Sequence, residues 1–340
     1  MYCRKSIIFP ILFFFLKVEG STGFTAFKTN PFRPFFENSN ESEKVELKGE
    51  AFLDSLNLKS PREARTFYTD PQRALQIILA TVPFVGRLAS GAIAEGYKFE
   101  LISKDESKYS VLKIGNDKQL LETCNISSPP TQNRGPIVMY DIESCASCRR
   151  VREAISMLSL EVEYRPSQKG SYYEKELKTS IENYQIPYMN DPSSGVNLSG
   201  ADEIIEYLFR LYGKEAVPKS LDGNFLSNLT ASLVLLPSFS KGSKIRNSNR
   251  PEMPLKIWSA EGSPFAKIVR EELCELQLPH VQISCPRGSP NRQRMFDEAG
   301  IFQIPYLEDP NTEVKLFESS AIIEYLNVVY GVKDSPVQYM

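Results

Sequence analysis

The chain has 340 residues, enough for two or three domains of the usual ~100–200 residues each. Forty basic residues against 42 acidic ones leave a net charge of −2, without the basic excess that a nucleic-acid binder uses to neutralise phosphates. One histidine, His280, rules out a multi-histidine metal centre within one chain, and six cysteines are too sparse for a disulfide framework. The fold must rest on a hydrophobic core, and a chain this poor in histidine is expected to do thiol chemistry or none.

Charge is uneven along the chain. Residues 1–36 carry five basic residues (Arg4, Lys5, Lys17, Lys28, Arg33) and one acid, Glu19, so the remainder stands at −6. Arg4-Lys5 followed by the apolar run Ile7–Leu16 matches the n- and h-regions of a secretory signal, and the run falls short of the ~20 residues of a membrane span. Ser21-Thr22-Gly23 offers a cleavage site, which makes 1–23 the signal peptide. The adjoining FTAFKTNPFRPFF is aromatic, basic and acid-free, and with the signal it resembles the bipartite presequence of proteins imported into complex plastids. That resemblance implies a plastid protein. The secretory pathway is the alternative, and glycans on the sequons at Asn125 and Asn228 would mark it. Residues 24–50 are predicted as a transit-like and flexible segment.

Residues 51–134 form a prefix to the more regular sequence beyond them. Ala74–Leu88 is strongly apolar and predicts a helix, packed on the first of the two repeated copies that follow in preference to lying on a membrane surface. Residues 97–122 alternate and predict a small β-hairpin, and Ser127–Arg134 reads as a linker.

Shifting the sequence by 118 residues aligns 136–213 with 254–331 without a gap, with 24 identities over 78 positions against roughly five by chance. Each copy reads in the same order. A short apolar strand (Ile137–Tyr140; Leu255–Trp258) enters a small-residue turn, then a helix with apolar spacing (Val151, Ile155, Leu158; Val269, Leu273, Leu276). A second strand, a charged helix, Ile-Pro-Tyr opening a strand, an Asp-Pro turn, another strand and a closing helix complete β-α-β-α-β-β-α. The fold class is therefore α/β, two tandem thioredoxin-like domains at 135–213 and 254–331. A linker at 214–253 with one apolar stretch (Phe225–Leu236) joins them, and 332–340 is a tail.

The first copy carries Cys145-Ala-Ser-Cys148 at the strand-to-helix turn. A helix N-terminus favours thiolate over thiol, so Cys145 is the expected nucleophile, and Cys148, one turn on, the resolving thiol. Arg149 and Arg150 are expected to add positive charge. Zinc is disfavoured because no second CxxC exists and the lone histidine sits in the other copy. A structural disulfide is the bland alternative. Pro187 after Ile186, and Pro305 after Ile304, are expected to be cis, as the thioredoxin-like plan requires. Ser263 and Ala266 replace the two cysteines in the second copy. Cys274 reads as core, Cys285 as a passive surface or edge cysteine and His280 as a hydrogen-bonded structural residue.

CASCRRVREAI, IPYMNDP and the closing helix resemble glutaredoxins and the N-terminal domain of glutathione transferases. EGSPFAKIVREELCEL, IPYLEDP and LFESSAIIEYL look still more like a transferase N-terminal domain, and the pair resembles tandem proteins of this kind in plant and algal plastids. The resemblance implies glutathione as co-substrate, held by Ile186, Pro187, Ala201 and Asp202 in the first copy. In the second it implies Ser263, Ile304, Pro305, Glu318 and Ser319, the better-preserved subsite. Helix capping alone is the bland account of the last-helix residues.

The leading functional expectation is a glutaredoxin-type oxidoreductase acting on protein disulfides. A non-catalytic glutathione- or protein-binding adaptor is the alternative, and a transferase using Ser263 the third reading. No metal is expected, although an iron–sulfur cluster held through Cys145 in a dimer stays open.

Overall fold

A computed structural model describes residues 47–65, 70–86, 90–126, 136–223 and 242–332. The readings of the leader, of the linker at 127–134, of Asn228 and of the apolar stretch 225–236 lie outside these residues.

The prefix opens with α1 (Gly49–Ser55), which falls partly within the segment expected to be flexible. It is followed by α2 (Ala74–Gly86). Leu53 of α1 and Ile77 and Ala80 of α2 are buried in the core of the second copy. The apolar stretch thus packs as a helix, but on the second copy, whereas packing on the first was expected. Its other face leaves Leu75 and Ile78 exposed. Among the described residues, no helix is long and apolar enough to cross a membrane.

The expected hairpin is a three-stranded antiparallel sheet of β1 (Lys98–Ser103), β2 (Leu112–Ile114) and β3 (Lys118–Thr123), in the order β1-β3-β2. β2 and β3 form the hairpin, turning near Gly115 at a positive φ of 62°, where glycine carries no side-chain penalty. β1 pairs along the far edge of β3, a partner that alternation alone does not reveal.

The first copy runs β4 (Ile137–Asp141), α3 (Ala146–Met157), β5 (Glu161–Pro166), α4 (Tyr172–Ser180), β6 (Tyr188–Asp191), β7 (Val196–Ser199) and α5 (Ala201–Tyr212). The second repeats it as β8 (Leu255–Ser259), α6 (Pro264–Glu275), β9 (His280–Ser284), α7 (Pro290–Ala299), β10 (Tyr306–Asp309), β11 (Val314–Phe317) and α8 (Ser319–Val329). Both copies are thioredoxin-like. Pro264 and Pro290 stand in the first turns of α6 and α7, where a missing N–H costs nothing.

The apolar residues read from the helical spacing do form the cores. Val151, Ile155 and Leu158 pack with Ile204 and Leu208, while Val269, Leu273 and Leu276 pack with Ile322 and Leu326. Each such side chain contributes roughly 1.5–3 kcal/mol of burial. The repeated Asp-Pro and Tyr have a shared cause. The Tyr207 hydroxyl donates to Asp191 at 2.6 Å, and its counterpart Tyr325 donates to Asp309 at 2.6 Å, tying each closing helix to its hairpin.

The copies join into one eight-stranded sheet, β11-β10-β8-β9-β5-β4-β6-β7. The order is a palindrome about the antiparallel β5–β9 pair. Val162 pairs with Gln282, Glu163 with Val281 and Tyr164 with His280. Glu163 and Val281 are equivalent residues, so a pseudo-two-fold axis runs through their pairing.

Candidate active site

β4 ends at Asp141, the chain turns, and Cys145 becomes the N-cap of α3 in an extended conformation. Its Sγ accepts the backbone N–H of Cys148 at 3.2 Å and lies 3.1 Å from the Ser147 hydroxyl. Cys145 is half-buried, and Cys148 behind it is fully buried. Hydrogen bonding from the Cys148 thiol foremost, then from Ser147 and the Cys148 amide, outweighs burial and pulls Cys145 down to about 7. Burial, with the neighbouring Cys145, pushes the Cys148 thiol well above the ordinary range. This asymmetry favours the thiolate at Cys145 and the protonated thiol at Cys148.

The arginines do not act as expected. Arg149 pairs with Glu153 and Glu261, Arg150 with Asp202 and the Leu221 carbonyl, and Arg152 with Asp141 and Glu143. Their charge is answered by carboxylates, and hydrogen bonds to the sulfur lower the Cys145 pKa in their place. Ser147, read as a spacer of the CxxC, supplies one of those bonds.

Both expected cis peptides are present, Ile186-Pro187 and Ile304-Pro305. At the start of α5 the Gly200 N–H donates to the Pro187 carbonyl at 2.9 Å, which places Ala201 and Asp202 beside the proline turn. The Asp202 carboxylate accepts from Arg150, one turn into the helix that Cys145 caps. The structure thus groups Cys145, Cys148, Arg150 and Asp202 around the α3 and α5 N-termini.

The second copy repeats the geometry without the thiols. The Ser263 Oγ accepts the Ala266 N–H at 3.2 Å, the same cap that Cys145 forms. Glu318, at a positive φ of 68°, precedes α8. Its carboxylate accepts from Gln303 at 2.6 Å and from the backbone N–H of Arg65 at 2.8 Å. Lys59 and Ser60 donate their N–H groups to Glu324, one turn further along α8. Residues 59–65 therefore lie across the start of this helix, and Glu318 and Ser319 are buried.

Two segments, 139–216 and 258–333, match the family model of the glutathione S-transferase N-terminal domain. The chain carries two such domains in tandem. No curated protein and no solved structure matches the chain. The two transferase-type domains are consistent with glutathione binding, and their boundaries agree with the sheet halves described above. Among the described residues, no group of three or more His, Cys, Asp or Glu is placed to hold a metal ion.

The remaining titratable candidates are structural. Cys285, expected at a surface or edge, is instead fully buried in the core beside Trp258 and Met295 and pushed up to about 12, while Arg287, near it in sequence, is bonded to Glu122. The buried Cys274 accepts from Gln168 and from the Glu143 N–H, and burial raises its pKa. His280 bonds the Leu278 carbonyl through Nδ1 at 3.0 Å and stacks on Tyr164, and burial lowers it to about 4.

Proposed function

We propose that the first transferase-type domain is a glutathione-linked thiol–disulfide oxidoreductase of glutaredoxin type. The observation that carries this reading is the paired state of its thiols, Cys145 near neutrality at a helix cap and Cys148 buried and protonated behind it. A thiol pulled down to about 7 lies close to the optimum for an attacking thiol near neutral pH.

The Cys145 thiolate attacks one sulfur of a substrate disulfide. A Cys145–substrate disulfide forms, and the other substrate sulfur leaves as a thiolate that takes a proton from solvent. Cys148 then gives up its proton and attacks Cys145, releasing the bound substrate sulfur and forming the Cys145–Cys148 disulfide. Two glutathione thiols reduce that disulfide in turn, ending as glutathione disulfide. Where the bound group is itself glutathionyl, a single glutathione resolves it and Cys148 is dispensable. Asp202 and the N–H groups at the start of α5 offer the γ-glutamyl end of glutathione an ammonium partner and carboxylate donors.

Protein disulfides or glutathionylated proteins are the proposed partners, and the basic, Phe-led leader supports a plastid destination. The second domain lacks the thiols, and its corresponding helix start is covered by 59–65, which favours a scaffold role. Reduction of a glutathionylated peptide, coupled to glutathione reductase, tests the reading. Activity should vanish in Cys145→Ser and persist at least in part in Cys148→Ser. Activity unchanged in Cys145→Ser would overturn it.

A further inference from the structure

The prefix sheet and the second domain enclose a cleft of about 540 Å³, within the ~300–1,000 Å³ of small-molecule sites. It shares no lining residue with the thiol site. Leu121 and Ile126 form its apolar wall on the prefix side, and Pro290 at the start of α7 forms the wall on the other. Tyr109 and Arg292 supply flat faces, with the Arg292 guanidinium donating to the Tyr109 hydroxyl at 3.3 Å. The two walls are clamped together. Arg287 donates its N–H to the Ala92 carbonyl and accepts from Ala94, and Gly288 approaches Thr123 so closely that a Cβ would sit 2.7 Å from its carbonyl oxygen.

One polar group in this cleft is not satisfied by the protein. The Glu122 side chain is 3% exposed. One of its oxygens accepts from the Tyr97 hydroxyl at 2.5 Å and from Arg287 Nε at 2.7 Å. The other, Oε2, is buried with no hydrogen-bond partner, and its nearest cation, Arg292, stands 3.8 Å away. A buried carboxylate oxygen left without a donor carries an uncompensated desolvation cost, which a donor brought by a ligand would recover.

The charges select the kind of donor. Glu122 is already paired with two guanidiniums, Arg287 and Arg292, and the lining as a whole is charge-balanced, Lys108 and Arg292 against Glu122 and Asp297, so a cationic head gains no net attraction. An anion would supply no hydrogen for Oε2. A neutral N–H or O–H satisfies the oxygen without either penalty, and Tyr109, Leu121 and Ile126 line the cleft with aromatic and apolar surface for the rest of the molecule.

We propose that this cleft is a second ligand site, one that takes an uncharged aromatic or heteroaromatic molecule presenting a single N–H or O–H donor to Glu122. Glutathione and the thiols have no part in it.

The test is saturation-transfer NMR on the full chain with indole, 1-methylindole, benzylamine and benzoate as probes. Indole should bind saturably, with 1-methylindole, which lacks the donor, at least about tenfold weaker, as loss of a hydrogen bond to a charged group predicts. The two charged probes should not compete with indole. Leu121→Trp, which fills the cleft, should abolish indole binding without affecting reductase activity. Absence of saturable indole binding, equal affinity for 1-methylindole, or competition by benzylamine or benzoate would each overturn the site. So would undiminished indole binding in a folded Leu121→Trp chain. The comparison of probes on the natural chain decides the matter even if that variant fails to fold.

Discussion

Glu143 of the first domain and Arg270 of the second form a buried two-pronged ion pair, with Arg270 Nε and Nη2 each donating to a carboxylate oxygen at 3.2 Å. Their equivalents, Glu261 and Arg152, approach at 3.5 Å from the opposite directions, and each glutamate also faces the arginine of its own copy. The pseudo-two-fold axis of the sheet thus passes through a closed ring of charge. Burial alone would raise the Glu143 pKa, but Arg152, Arg270 and Lys267 bring it down to about 2. Its folded pKa lies below the ordinary carboxylate value, so the stabilisation is full above about pH 4.5 and is lost as pH falls towards 2. Glu143→Leu strands buried arginines and should cost about 3–5 kcal/mol, with Glu143→Leu/Arg270→Met recovering part of the loss. Urea unfolding checks this, and a cost under about 1 kcal/mol for the single variant would contradict the ring.

His280 is the only histidine, buried at the same seam and held near 4 against an ordinary value of 6.5. The unfolded chain therefore binds one more proton between those values, and stability falls as pH drops through that window. From pH 7 to pH 5 the loss should be about 2 kcal/mol. His280→Gln should flatten this part of the urea-midpoint profile, and an unchanged slope would show that His280 does not cause it.

The repeat made both domains legible at nearly their full extent, because each copy carries its own apolar spacing, Asp-Pro turn and Tyr. The place of the thiol pair, at the turn from a buried strand into a helix cap, was equally open to reading, since the apolar strand and the helical spacing on either side define that turn. The arginines misled. Arg149 and Arg150 sit beside the cysteines in sequence, but Glu261, which with the same-helix Glu153 answers Arg149, comes from the other copy, and Asp202, which answers Arg150, from another helix. One signal was available. Glu143, Arg152 and Glu153 are identical to Glu261, Arg270 and Glu271 in the other copy, and charged identities retained on helix faces that should be core point to a shared buried seam. The covering of Glu318 by Arg65 had no such signal, because it joins residues 253 apart through a backbone N–H that no side chain announces.

That contact predicts the stoichiometry of glutathione binding. Calorimetry with S-methylglutathione should give one site per chain, weakened by Asp202→Ala and indifferent to Ser319→Ala. Two equivalent sites would contradict the covered helix start.

The hydroxyl of Tyr325 donates to Asp309, which also accepts from Tyr330. Tyr325→Phe removes one donor to a buried carboxylate and should lower stability by about 1–3 kcal/mol while leaving reductase activity intact. Chemical denaturation alongside the activity assay separates the two effects.

The proposed chemistry depends most directly on the state of the Cys145 thiol, which the rate of iodoacetamide alkylation reports as a function of pH in a Cys148→Ala chain and in the natural one. In the natural chain the Cys145 rate should rise with a midpoint near pH 7. Loss of the Cys148 thiol, the largest of the hydrogen bonds that lower it, should move that midpoint upward. A Cys145 midpoint at 9 or above in the natural chain would contradict the proposed nucleophile.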